Sequence, residues 1–229
     1  MTAAAPHRGP YAAVMAAAVV VSLNVGKIPP AMPLLRDTFS LDLVGASLLV
    51  SFFQVAGMLF GLFGGMLADR FGPRRTMRIG LSTAALGSVL GAVAPSAEWL
   101  LASRTIEGAG FMLTVLPGPT LIGRSVPAAS RSALMGAWSA YLPLGMSLGL
   151  VVTPLAYQWV GWRPVWWAVA GACLLMVWWV GRTVAPDPGG RPPHGALALV
   201  RATLRSPRPW VLALAFGCYA AQWVSVFSF

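Results

Sequence analysis

Gly65-Met66-Leu67-Ala68-Asp69-Arg70-Phe71-Gly72-Pro73-Arg74-Arg75 joins two long apolar runs, 44–67 and 76–94. The first run closes on an acid and a base at a helix end. The chain then reverses within a few residues, which Gly72 permits because it lacks a Cβ. The next run opens behind Arg74 and Arg75 and carries Arg78 at its start. Asp69 can pair with these arginines without entering lipid. An ordinary basic loop explains the arginines but not the spacing of Gly65, Asp69 and Gly72 between them.

The rest of the chain has the same character. Of its 229 residues, 57% are apolar and 10% charged, with a mean hydropathy of +0.73. Soluble domains carry roughly 25% charged residues, so lipid is the solvent this surface suits. Runs near the ~20 residues that cross a bilayer are expected at 11–34, 44–67, 76–94, 99–122, 134–160, 164–184 and 210–229. His7 and Arg8 precede the first run as in a signal peptide, but no small-x-small site and polar mature chain follow, so it reads as an uncleaved span.

Counting Lys and Arg between runs gives the topology. With the N-terminus inside, Arg8, Arg70, Arg74, Arg75, Arg78, Arg124, Arg131, Arg182, Arg191, Arg201, Arg205 and Arg208 are cytoplasmic, whereas Arg36 and Arg163 lie outside. Lys27 and Arg104 fall within spans. The net charge of +10 is therefore a topology signal, and nucleic-acid binding is excluded. The reading is a multi-pass protein of a cell's inner membrane with a cytoplasmic N-terminus.

Enzymatic chemistry finds little support. Gly145-Met-Ser147-Leu-Gly149 matches a serine nucleophile pattern, but His7 and His194 both lie outside the spans and no base stands beside the serine. Cys173 and Cys218 lack metal-ligand spacing and read as small packing residues. Gly108-Ala-Gly110 lacks the strand of a dinucleotide loop, and the seventh run lacks a lysine for a retinal Schiff base. No enzyme, cofactor or metal is expected.

The string 65–75 resembles the G-x-x-x-D-R-x-G-R-R-R signature of the major facilitator superfamily, with Pro73 in place of one Arg. The resemblance implies an all-α membrane fold: a six-helix N-terminal bundle of 3+3 inverted repeats over 1–184, a cytoplasmic linker over 185–209 and the start of a seventh helix over 210–229. It also implies that Gly65, Asp69, Arg70, Gly72, Arg74 and Arg75 gate the cytoplasmic side by tying the two halves together. A faint repeat at an offset of about 88 aligns 68–75 with 156–163 and suits such repeats. Because the chain stops at Phe229 inside an apolar run, a missing C-terminal six-helix half is an expected partner.

Charge within the spans has its own logic. Each charge inside a membrane costs about 2.5–3.5 kcal/mol on insertion scales, so it needs a reason. Arg104 and Glu107 are three apart and share a helix face. Counting along the helices sets Lys27, with Asn24 on the same face, at a similar depth. These four residues are expected to surround a shared cavity and to handle substrate and proton coupling. The bland alternatives are that Lys27 and Arg104 snorkel to the interface, and that Glu107 only neutralises Arg104. Arg104-x-x-Glu107-Gly108-x-Gly110 resembles the family's fourth-helix motif. Together with Asn24, Lys27 and Trp162-Arg163 it looks most like the cyanate/nitroimidazole-type branch.

Gly57, Gly61 and Gly65, and Gly145 and Gly149 ahead of Pro154, have the spacing that lets helices approach closely. The second set falls where the family's exporters carry a fifth-helix motif, here incomplete. The sequence thus reads as half of a proton-coupled transporter, a symporter of a small, anionic solute. One alternative is a proton-coupled drug exporter whose site is lined by Trp166, Trp167, Trp178 and Trp179. Another is a non-transporting membrane sensor or scaffold.

Overall fold

The computed structural model describes residues 8–188 and isolated positions between 205 and 218. The chain divides into two units, Met1–Pro188 and Gly189–Phe229. Among the described residues the first unit holds nine helices: α1 (Arg8–Gly26), α2 (Ile28–Phe39), α3 (Leu43–Phe71), α4 (Pro73–Ala92), α5 (Ala97–Val115), α6 (Gly118–Ser125), α7 (Ala128–Trp138), α8 (Tyr141–Val160) and α9 (Trp162–Thr183). The linker and seventh span expected over 185–209 and 210–229 lie for the most part outside the described residues.

The nine helices make six rods, because three of the expected spans are broken. The first breaks at Lys27, where Pro29 and Pro30 remove two backbone donors from the start of α2. The fourth breaks at Leu116-Pro117 between α5 and α6, and the fifth at Ser139-Ala140 between α7 and α8. Among the described residues, four stretches are long and apolar enough to cross a membrane: Gly9–Phe39, Leu43–Gly61, Ala128–Val160 and Trp162–Thr183. The helices α4 and α5 are not among them, since the arginines of α4 and Arg104 and Glu107 of α5 lower their hydropathy. Asp42 and Ser96 accept bonds from Gly45 and Trp99 and so start α3 and α5.

Short connections alternate the direction of the rods. One end of the bundle collects Arg70, Arg74, Arg75, Arg78, Arg124, Arg131 and Arg182, and the other has Arg36 and Arg163. Within the bundle α4 packs along α5 and α9, α3 against α5, and α1 against α8 and α9. Glycines set the closest approaches. A Cβ on Gly149 of α8 would lie 2.7 Å from Gly26 Cα, and one on Gly110 of α5 would lie 2.7 Å from Ala84 Cα. Backbones in direct contact gain the dispersion energy that holds helices together in lipid. Gly145 likewise abuts Val19 and Ser22 of α1, and a Cβ on Gly57 would lie 3.3 Å from Met112 Cγ. A Cβ on Gly61 or Gly65 would meet nothing within 4 Å. Pro154 lies inside α8.

Two helix junctions share one device, in a register one residue off the faint sequence repeat. Gly72 (φ 88°) joins α3 to α4, and Gly161 (φ 73°) joins α8 to α9. Two residues after each glycine stands an arginine. Arg74 of α4 donates to the Gly181 carbonyl near the end of α9, while Arg163 of α9 donates to the Ala92 and Ala94 carbonyls at the end of α4, at 3.0 and 3.1 Å. The antiparallel pair α4/α9 is thus clamped reciprocally at opposite ends, each cation meeting the negative pole of its neighbour's dipole.

Two apolar clusters fill the bundle. One includes Ala17, Leu81, Phe111 and Cys173; the other includes Ile28, Leu49, Leu100 and Trp166. Along α1/α2, α4 and α5 the sequence passes from one cluster to the other through a polar stretch holding Asn24 and Lys27, Ser88, and Arg104 and Glu107.

Candidate functional site: a buried charge centre

That polar layer closes on Glu107. Its Oε1 accepts from Lys27 Nζ at 2.7 Å and from Ser88 Oγ at 2.7 Å, and its Oε2 accepts from Arg104 Nη1. Lys27 also donates to Asn24 Oδ1 at 2.6 Å, and its ammonium lies 4.3 Å from the centroid of the Trp166 ring. Arg104 donates from Nε to the Leu49 carbonyl of α3 at 3.3 Å, and its guanidinium lies 4.5 Å from the Phe53 ring centroid. Tyr157 of α8 donates to the Lys27 carbonyl at the α1/α2 break, 2.7 Å away. The centre therefore touches all six rods.

Local sequence explains the positions. The break at Lys27, with its two prolines, places that residue at a helix junction. Arg104 and Glu107 project together because they are one turn apart. Gly87 of α4 makes room: a Cβ there would lie 2.7 Å from Glu107 Cγ. Counted at ~1.5 Å per residue, Lys27 is about 18 Å from Phe39 and Glu107 about 15 Å from Ala97, so both lie near one depth.

The structure brings Asn24, Lys27, Arg104 and Glu107 together, as expected, but not around an open cavity. Exposure is 0% for Lys27 and Glu107 and 2% for Arg104, so the side chains fill the space themselves. Neither cation snorkels. Two cations against one carboxylate leave a formal charge of +1 inside the bundle. Aromatic ring faces and the oxygens of Asn24 and Leu49 offset part of the cost of holding it there.

The loop at 65–75 differs from the expectation in one respect. Among the described residues Asp69 is exposed and makes no ion pair. Arg70 lies over the Phe71 ring instead, with 5.5 Å to its centroid. The acid that engages the loop is Asp187, just past α9. Its carboxylate accepts from the backbone N–H groups of Arg74 and Arg75 at 3.1 and 3.0 Å and lies 3.6 Å from Arg124. Asp187 thus caps α4, where an anion meets both free N–H groups and the positive end of the dipole. A Cβ on Gly72 would collide with this carboxylate, so Gly72 serves both the turn and the cap.

A family model described as the Major Facilitator Superfamily matches residues 14–229. The chain belongs to this superfamily. It is 27% identical over 219 residues to the Cyanate transport protein CynX of Escherichia coli K12, covering 91% of this chain and 55% of that protein. It is 32% identical over 146 residues to the Lincomycin resistance protein of Streptomyces lincolnensis, covering 62% of this chain and 30% of that one. The fold resembles the inward-open xylose transporter XylE of E. coli, with a TM-score of 0.66 and 19% identity over 78% of this chain and 48% of that one. The chain thus spans between about a third and about half of the length of these relatives. Its fold is that of the all-α N-terminal half of such a transporter.

Several members of the centre were not anticipated as such. Ser88 carried the signal of a hydroxyl among the small residues of α4, and Tyr157 that of a polar ring two turns after Gly149. Trp166 was expected only with Trp167, Trp178 and Trp179, as the lining of a drug site under the alternative exporter reading. It is fully buried against Lys27, whereas Trp167 and Trp178 are exposed on the bundle surface. Asp187 was assigned to the linker, and its role as a cap depends on a fold-back that spacing alone does not reveal.

Proposed function

We propose that this chain forms the first half of a secondary active transporter that moves a small anion together with a proton by alternating access. It sits in a cell's inner membrane with the N-terminus on the cytoplasmic side. The observation that carries the reading is one carboxylate, Glu107, shared by two buried cations. Lys27 and Arg104 are the donors a small anion needs, and Glu107 occupies them. A proton on Glu107 weakens its hold on both cations, and an anion then takes its place on the same donors. The charge of the site stays at +1 through this exchange, so no further charge has to be desolvated. Proton and anion together form a neutral load.

The relative named for cyanate, a small monovalent anion, is in keeping with this substrate class. The exposed apolar residues of α3 and α8, such as Leu43, Val55, Met58, Val151 and Leu155, suit burial in lipid or against a second six-helix half. Residues 185–209 would join the two halves, with 210–229 opening the second. In this scheme the 65–75 loop, fastened by Asp187, is the cytoplasmic gate.

The test is a proteoliposome assay with the full-length protein and an internal pH dye. Small anions should acidify the lumen, and Glu107→Gln should abolish the acidification. Unchanged coupling in Glu107→Gln would remove the residue from this role. The second reading, export of lipophilic drugs, is favoured by the relative named for lincomycin resistance. A pH response to lipophilic cations alone would select it.

A further inference from the structure

We propose that the groove between α4 and α9 at the arginine-rich end binds an anionic phospholipid, with its phosphate on Arg75 and Arg78 and an acyl chain below. The groove has a volume of about 380 Å³ and takes Arg75, Arg78, Ile79, Ser82, Thr83 and Leu86 from α4 and Val177 from α9. The α4 positions follow the three-and-four spacing of one helix face. From Arg75 to Leu86 that face descends about 16 Å at ~1.5 Å per residue. One leaflet of hydrocarbon is roughly 15 Å deep, half of a ~30 Å core. The groove thus has the length of a single leaflet and carries its charge at one end only.

The chemistry along it is ordered in the same sense. No acid lines the groove, and among the described residues neither Arg75 nor Arg78 makes an ion pair. Arg74, in contrast, is committed to Gly181. The Arg78 guanidinium lies beside Gly181, where a Cβ would be 3.4 Å from its Cζ, so it reaches across from α4 to α9. Two open guanidinium groups match the oxygens of a phosphate. Below them Ile79, Leu86 and Val177 offer apolar contact, and the Thr83 hydroxyl is already bonded to the Ile79 carbonyl at 2.9 Å. A free phosphate could use only the upper end, whereas a lipid uses the whole length. On α9 at this level Arg182 lies 5.2 Å from the ring centroid of exposed Trp178, a pairing suited to the headgroup interface. Basic pockets between membrane helices on the positively charged side are the general setting for anionic headgroups.

The experiment is native mass spectrometry of the full chain released from nanodiscs of equimolar phosphatidylglycerol and phosphatidylcholine. The parent should retain phosphatidylglycerol preferentially. Arg75→Gln/Arg78→Gln should lower that preference roughly thirtyfold. Leu86→Trp, which fills the acyl seat without changing charge, should also lower it. Arg36→Gln at the opposite end should leave it unchanged, and thermal midpoints would check that each variant is folded. Undiminished retention in the double variant would overturn the proposal. So would retention unaffected by Leu86→Trp but displaced by free glycerol phosphate, since the site would then hold a soluble phosphate.

Discussion

Glu107→Gln keeps the shape of the side chain and removes the only negative charge in the buried centre. Lys27 and Arg104, 0% and 2% exposed, are then left as uncompensated neighbours. Removing one partner of a buried ion pair costs about 3–5 kcal/mol, and here one carboxylate serves two cations. For a bundle of this size that is a drop of about 6–20 °C in thermal midpoint. Lys27→Met should cost less, about 1.5–3 kcal/mol, because it loses the bonds of Lys27 to Glu107, Asn24 and Ser88 but leaves Arg104 and Glu107 as a balanced pair. In the double variant only Arg104 remains charged. Its destabilisation should therefore fall short of the sum of the two single changes by about 2 kcal/mol or more. Thermal unfolding of the four proteins in one detergent, followed by tryptophan fluorescence, measures all of this. A Glu107→Gln midpoint within about 2 °C of the parent, or strictly additive changes, would refute the reasoning.

Two further expectations concern the scaffold. Gly149→Ala should destabilise by about 1–3 kcal/mol through overpacking, because its Cβ would lie 2.7 Å from the Gly26 backbone. Gly61→Ala, with nothing within 4 Å, should be neutral or stabilising by up to about 1 kcal/mol; equal effects in a melting assay would contradict this packing. Arg163→Ala releases the Ala92 and Ala94 carbonyls and should cost about 1–2 kcal/mol, reduced by the exposure of the side chain. Asp187→Ala removes the α4 cap and should cost about 1 kcal/mol. Because the two sites are at opposite ends of α4, their effects should add in the melting temperature.

The sequence made the rods legible because lipid imposes a simple rule, an apolar run of bilayer length. It hid the breaks at Lys27, Leu116 and Ser139, since a kinked rod buries the same apolar residues as a straight one. Arg104 and Glu107 could be paired by helical spacing, and Lys27 could be set at their depth by counting. Ser88, Tyr157 and Trp166 come from other rods, and their arrival depends on which helix faces turn inward. Closure of the centre was equally out of reach, because the side chains' own packing decides whether a polar cluster lines a cavity or fills it. Asp69 and Asp187 teach the converse. The acid nearest the arginines in sequence stays exposed, while the one more than a hundred residues away caps their helix.

The most direct measurement of the central claim is difference infrared spectroscopy of the full-length protein on addition of a small anion at fixed pH. The account predicts that a carboxylate band is replaced by the C=O stretch of a protonated carboxyl, and that this change is absent in Glu107→Gln. Anion binding that leaves the Glu107 carboxylate band unaltered would contradict the exchange of Glu107 for substrate on Lys27 and Arg104.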